Sequence, residues 1–169
     1  MGKLPCPIPP AVYRKVEHRL RHREQLLREA LEALASAEAD AGAIASPAAG
    51  RIGGSGGISD QTASRAVRIT EARRRVVLAK KWIWVHEETE EAFRGTDAGR
   101  AVRLIFDQGR TQADAARAIR CDRQTVRRYK DDFIIRAAFL AVSAGLIRLR
   151  KGDDLLDPHG DHREPDARP

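Results

Sequence analysis

The sequence predicts an all-α fold of long helices ending in a C-terminal helix-turn-helix domain. Three observations carry this expectation. Apolar residues recur at three- and four-residue steps along most of the chain. No stretch sustains the two-residue alternation of a strand. Aromatic residues are only 5 % of the chain, which favours Ala, Leu and Val packing between helices over a β-sandwich. A chain of 169 residues, 42 % hydrophobic and 33 % charged, holds one ordinary domain or a small domain with helical extensions.

Residues 1–10 are Pro-rich and read as an irregular N-terminus. Residues 11–40 read as one helix, with Tyr13, Val16, Leu20, Leu27, Ala30 and Leu34 on one seam and Arg23 interrupting it. Such a seam must be covered. Residues 41–58 are a linker built around SPAAGRIGGSGG, whose glycines are costly to order and whose apolar surface is small. Ser59 then serves as N-cap, with Asp60 in the first turn, for a helix that runs to about Phe93. Its stripe is Ile69, Ala72, Val76, Ala79 and Ile83, broadened by Trp82, Trp84 and Val85. Arg94-Gly95 ends it, and Thr96 caps a helix holding Val102, Leu104, Ile105 and Phe106 that stops at Gly109. Residues 151–169 are polar, Pro-punctuated and expected to be a disordered tail.

The segment 59–150 is expected to be a helical DNA-binding domain, with its helix-turn-helix at 111–138. Thr111 caps a short helix to Ile119, whose inner face is Ala115, Ala116 and Ile119. Asp122 caps a second helix from Arg123, and the few residues between leave room only for a tight turn. Arg120 stands at the turn, where many such units carry glycine for a positive φ. Val126, Tyr129 or Lys130, Phe133 and Ala137 face inward. Arg123, Gln124, Arg127, Arg128 and Asp131 face outward, with Thr125 near the first turn.

Charge gives the stretch its chemistry. The chain carries a formal net charge of +7 and a pI near 10.0, which suits a polyanionic partner. Within 111–130, six cations stand against only Asp114 and Asp122. Arg is bidentate to guanine, Gln to adenine, and Thr touches a thymine methyl, so Arg123, Gln124, Thr125, Arg127 and Arg128 are the candidate base readers. Arg117, Lys130 and Arg110 are placed for phosphates, which supply affinity without sequence information. Double-stranded DNA is favoured over RNA because no aromatic stacking platform is evident.

Other chemistry has little support. His18 and His22 sit four apart on a helix, but Arg19, Arg21 and Arg23 repel a cation and no third ligand is apparent. His159 and His162 lie with Asp157 and Asp161 in the tail. No metal, cofactor or catalytic group is expected: GRIGGSGG lacks the Lys-Ser/Thr of a phosphate loop, and Glu87, Glu88, Glu90 and Glu91 suit a solvated helix end. Trp82 and Trp84, two apart on a helix, point in different directions, one to the core and one to an interface or partial surface. Cys6 and Cys121 form no disulfide framework, MGKLPCPIPP has no signal-like apolar region, and no apolar run approaches the ~20 residues that span a bilayer. A cytoplasmic protein without membrane contact is expected.

The order of VYRKVEHRL, a Gly-rich linker, SDQTASRAVRI, a long helix and TQADAARAIRCDRQTVRRYKDDFI resembles the phage-encoded transcriptional regulators of the ArpU/RinA type. The resemblance covers roughly residues 12–147. It implies a terminal unit like the region-4 helix-turn-helix of sigma factors and control of phage or prophage late genes from promoter DNA. The family's contact positions carry over as Arg123, Gln124, Thr125, Arg127 and Arg128. The N-terminal helices would then serve self-association or contact with RNA polymerase, and the seam from Tyr13 to Leu34 is the candidate element of a dimer. The same seam has the alternative of folding back on the helix from Val67 to Val85. A small terminase-like packaging subunit and a basic helical protein-interaction module are the competing functions.

Overall fold

The computed structural model describes residues 8–42, 58–149 and 155–156. Most of the Pro-rich start, most of the Gly-rich linker and nearly all of the tail therefore lie outside the described residues, as do Cys6, His159 and His162. The fold is all-α. Among the described residues there are six helices: α1 (Pro10–Arg21), α2 (Arg23–Gly42), α3 (Ile58–Ala92), α4 (Asp97–Phe106), α5 (Gln112–Ile119) and α6 (Arg123–Ser143). Arg148–Leu149 (β1) and Leu155–Leu156 (β2) add one short antiparallel pairing, Arg148 opposite Leu156 and Leu149 opposite Leu155. That pairing falls partly inside the segment expected to be a disordered tail. It satisfies backbone groups, for which side-chain composition carries no signal.

The single helix expected over 11–40 is two helices. The chain turns at His22, and α2 restarts with the His22 carbonyl accepting from the Leu26 N–H at 2.9 Å. The break coincides with Arg23, the residue that interrupts the seam, and the two halves of the seam serve different cores. The boundary at Ser59 also differs. α3 begins at Ile58, so Ser59 and Asp60 fall within its first turn, a shift of the size that helix ends commonly show.

The chain divides into two compact units. One comprises residues 22–83. Its core is Ala30 of α2 against Val76 and Ala79 of α3, with Leu27 and Leu34 packed at the margin. This is the fold-back expected as the alternative for the seam, realised by its α2 half. Arg73 and Glu38 close a 3.1 Å ion pair between the same helices. Both side chains are largely exposed, so the pair adds little stability.

The other unit comprises residues 1–21 and 84–169. Its centre is Phe133 of α6, fully buried, with the rings of Phe106, His86 and Phe93 at 5.5, 5.6 and 5.8 Å. The same unit also buries Val85 and Thr89 of α3, Val102 and Ile105 of α4, Ala115 of α5, and Val12, Val16 and Leu20 of α1. Thr89, an isolated hydroxyl in this core, donates to the Val85 carbonyl at 2.6 Å. Gly99 permits α4 to start close behind α3: a Cβ there would collide with the Phe93 carbonyl oxygen. Trp82 is buried and Trp84 is 42 % exposed, as expected for two residues on different sides of one helix.

Candidate nucleic-acid interface

The segment from Thr111 to Ser143 is built from local signals. The Thr111 hydroxyl accepts the Asp114 N–H at 3.1 Å and donates to the Asp114 carboxylate at 2.7 Å, fixing the start of α5. α5 closes on Arg120, with the Cys121 N–H reaching back to the Ala116 carbonyl at 3.1 Å. Arg120 is left-handed (φ 58°, ψ 45°), the conformation that glycine adopts without cost. Asp122 then caps α6, its carboxylate accepting the Thr125 N–H at 2.8 Å and the Thr125 hydroxyl at 2.7 Å. Only Arg120, Cys121 and Asp122 separate α5 from α6.

The packing behind this pair leaves one side free. Ala115 and Ala116 of α5 and Val126, Phe133 and Ala137 of α6 are buried, while Ile119 is half-buried. α1 supports α6 by two polar contacts. The Tyr13 hydroxyl donates to Asp131 at 2.5 Å, and the Lys130 ammonium sits 3.0 Å from Glu17 and 5.7 Å from the Tyr13 ring. Arg21 of α1 stacks on Phe106 at 5.8 Å.

The expected base readers divide as follows. Arg123, Gln124, Arg127 and Arg128 are exposed together on the first two turns of α6. Thr125 is half-buried and its hydroxyl is committed to Asp122, so its methyl is what it retains for contact. Asp131, expected outward, is half-buried and held by Tyr13. Among the expected phosphate contacts, Arg110 and Arg117 are exposed, and Arg117 pairs with Asp114 at 2.5 Å. Lys130, expected at a phosphate and also as one of two candidates for the inner face, has a side chain only 13 % exposed, and its ammonium sits beside Glu17, which Arg21 shares at 3.3 Å, the position of an internal strut.

The electrostatics favour an anion. Arg127 lies 3.9 Å from Asp131, whose carboxylate is already engaged by Tyr13, and both side chains are partly solvated, so the pair is weak. Arg110, Arg120, Arg123 and Arg128 make no ion pair among the described residues. The nearby acids are otherwise engaged. Asp122 is held below the usual carboxylate range by the Thr125 hydroxyl and then the Thr125 N–H, and Asp114 chiefly by the Thr111 hydroxyl, then Arg117. Asp122 is thus committed to capping α6, and Asp114 to Thr111 and Arg117. Cys121 is half-buried. Its thiol is pushed up by desolvation, then by the carboxylates of Asp122 and Asp97, which suits packing and not nucleophilic chemistry.

One cluster escaped the sequence reading. His86, buried on α3, has Nδ1 4.0 Å from Glu90 and Nε2 3.5 Å from Asp107 at the end of α4. Three such groups can hold a metal ion. Here Arg103 already places its Nε 3.2 Å from the other Glu90 oxygen, which argues for a charge network tying α3 to α4. The His86–Glu90 spacing was visible in the sequence, but the third member was not.

Compared with known proteins, the chain matches no family model, no curated sequence and no solved structure. Among the described residues no helix is long and apolar enough to cross a membrane.

Proposed function

We propose that this chain is a sequence-specific DNA-binding transcriptional regulator in which α5 and α6 act as a helix-turn-helix and α6 enters the major groove. The observation that carries the proposal is the exposed row Arg123, Gln124, Arg127 and Arg128 at the start of a helix whose other side is clamped by α1, α4 and α5. Rigid backing matters because a bidentate Arg or Gln discriminates between bases only when its backbone is held in register. Arg110, Arg117 and Arg120 flank the row and supply phosphate contacts. The resemblance to ArpU/RinA-type regulators supports the narrower assignment: a cytoplasmic regulator of phage or prophage late genes, with RNA polymerase as a further partner.

Selection of bound sequences from a random DNA pool, followed by titration on the selected site, tests this function. A defined consensus is expected, with affinity falling steeply as salt rises. Replacing Arg123, Arg127 or Arg128 by alanine should each cost about 1–3 kcal/mol on the selected site and little on random DNA. Unchanged site preference in the triple variant would refute the assignment. Loss of a protein complex with DNA retention intact would point instead to a protein-interaction module.

A further inference from the structure

Asp131 follows Arg127 by four residues and Arg128 by three, which places it at the C-terminal end of the exposed row on α6, with the opposite sign to its arginines. Its two carboxylate oxygens are divided between two partners. Oδ1 accepts the Tyr13 hydroxyl of α1 at 2.5 Å, and Oδ2 faces the Arg127 Nε at 3.9 Å. Tyr13 is in turn held by its place on α1, whose Val12 and Val16 are buried beside it in the sequence. The three side chains thus form a chain of contacts from α1 to the row. Helix stability does not account for the acid, because an acid four residues after a cation is the less favourable order of such a pair.

We propose that Asp131, fixed by Tyr13, is a positioning residue that dedicates Arg127 to a guanine in the major groove. This deepens the DNA-binding function proposed above and rests on it. Charge favours a base over a phosphate as the ligand of Arg127. An arginine beside a carboxylate makes a pair with no net charge, which draws a phosphate only weakly. Hydrogen bonds to an uncharged base edge depend on direction instead. Arg123 and Arg128, by contrast, make no ion pair among the described residues.

Geometry favours guanine among the bases. A carboxylate at Nε leaves the two terminal nitrogens of Arg127 to donate together. Guanine presents two acceptors, O6 and N7, side by side in the major groove, whereas adenine sets a donor beside its acceptor. Arginine also loses much side-chain freedom on ordering, and an anchor in place before binding removes part of that cost. The pair is weak in the free protein because water reaches both side chains. A duplex seated over the row excludes that water, and attraction at the same separation rises about fourfold as the effective dielectric falls from ~80 to ~20.

Quantitative selection from a random duplex pool, with the full chain and its Arg127→Ala, Asp131→Asn and Tyr13→Phe variants, tests the pairing. The wild-type site should contain a guanine whose preference Arg127→Ala abolishes. Asp131→Asn keeps an acceptor for Tyr13 and removes the charge, and it should lower the preference for that guanine by roughly tenfold. Its affinity for random DNA should rise, since a negative charge near the phosphates is gone. A folding defect would lower both. Tyr13→Phe keeps the ring and should reduce the same preference in the same direction. In the Arg127→Ala background, Asp131→Asn should change the guanine preference no further. An unchanged guanine preference in either Asp131→Asn or Tyr13→Phe, or a loss spread evenly over all positions, overturns the inference and leaves the DNA-binding function standing. A wild-type chain that selects no sequence sinks that function and this pairing with it.

Discussion

Replacing Lys130 by methionine separates two roles for one cation, because methionine keeps the apolar stem and removes the charge. If Lys130 is a strut, the loss falls on stability. Two unit charges at the observed 3.0 Å from Glu17 attract by about 5 kcal/mol at an effective dielectric near 20. Desolvation offsets much of that, yet stranding one partner of a buried pair costs about 3–5 kcal/mol. The side chains are 13 % and 24 % exposed, and Glu17 keeps a second partner, Arg21, at 3.3 Å, so the penalty falls to about 1–2 kcal/mol. In a chain of this length that lowers Tm by about 2–8 °C. Urea unfolding of the Lys130→Met, Glu17→Gln and double variants should yield a coupling energy of about 1–2 kcal/mol. The salt dependence of DNA affinity should keep its slope, whereas Arg110→Ala, at a proposed phosphate contact, should lower it. An unchanged urea midpoint in Lys130→Met, with a slope lower by roughly one unit, would place the ammonium on DNA and refute the strut.

The turn and the cap between α5 and α6 give two further tests. Arg120→Gly should stabilise the fold by about 1 kcal/mol, since a non-glycine residue in the left-handed region costs about 1–3 kcal/mol and glycine returns about 0.5–1 kcal/mol of that through backbone entropy. A lower urea midpoint for this variant would mean that Arg120 makes a contact worth more than its strain. Asp122→Asn should leave the neutral-pH melting temperature nearly unchanged, because Asn caps as well as Asp. The folded pKa of Asp122 lies below the unfolded one, so its contribution is complete above the unfolded value near ~4 and disappears as pH falls through the folded value. The variant's acid limb below pH ~4 should therefore be flatter, and an identical limb in thermal melts would contradict the cap's titration.

What the sequence disclosed was local. Thr96, Thr111 and Asp122 cap α4, α5 and α6 as their spacing predicts, because a cap is a hydrogen bond within three residues. Ala115, Ala116 and Val126 were placed inward by periodicity alone. What stayed hidden depends on partners far along the chain. Tyr13 and Asp131 are 118 residues apart and Glu17 and Lys130 are 113 apart, so nothing near Lys130 announces that its charge is spoken for. The break at His22 is hidden for a similar reason. One continuous stripe from Tyr13 to Leu34 fits one helix, and only the existence of two cores explains why it is divided. Asp107 likewise joins His86 only once α4 turns back on α3.

The charge at the start of α6 sets the proposed function against stability. A helix N-terminus carries a partial positive charge, so acids are favoured there and cations are not. The first turn of α6 holds no acid, and it opens on Arg123 with only the Asp122 cap to offset the dipole. Arg123 and Arg127 are four apart, a like-charge spacing that costs about 0.2–0.5 kcal/mol in a helix. Arg120 adds a further positive charge and its own backbone strain. Each of these choices is locally unfavourable, and nothing among the described residues compensates Arg120, Arg123 or Arg128. A phosphate backbone drawn to that end of the helix would relieve all of them at once, as both anion for the dipole and counter-charge for the guanidinium groups. Local rules broken together at one exposed site accord with the polyanion-binding surface proposed above.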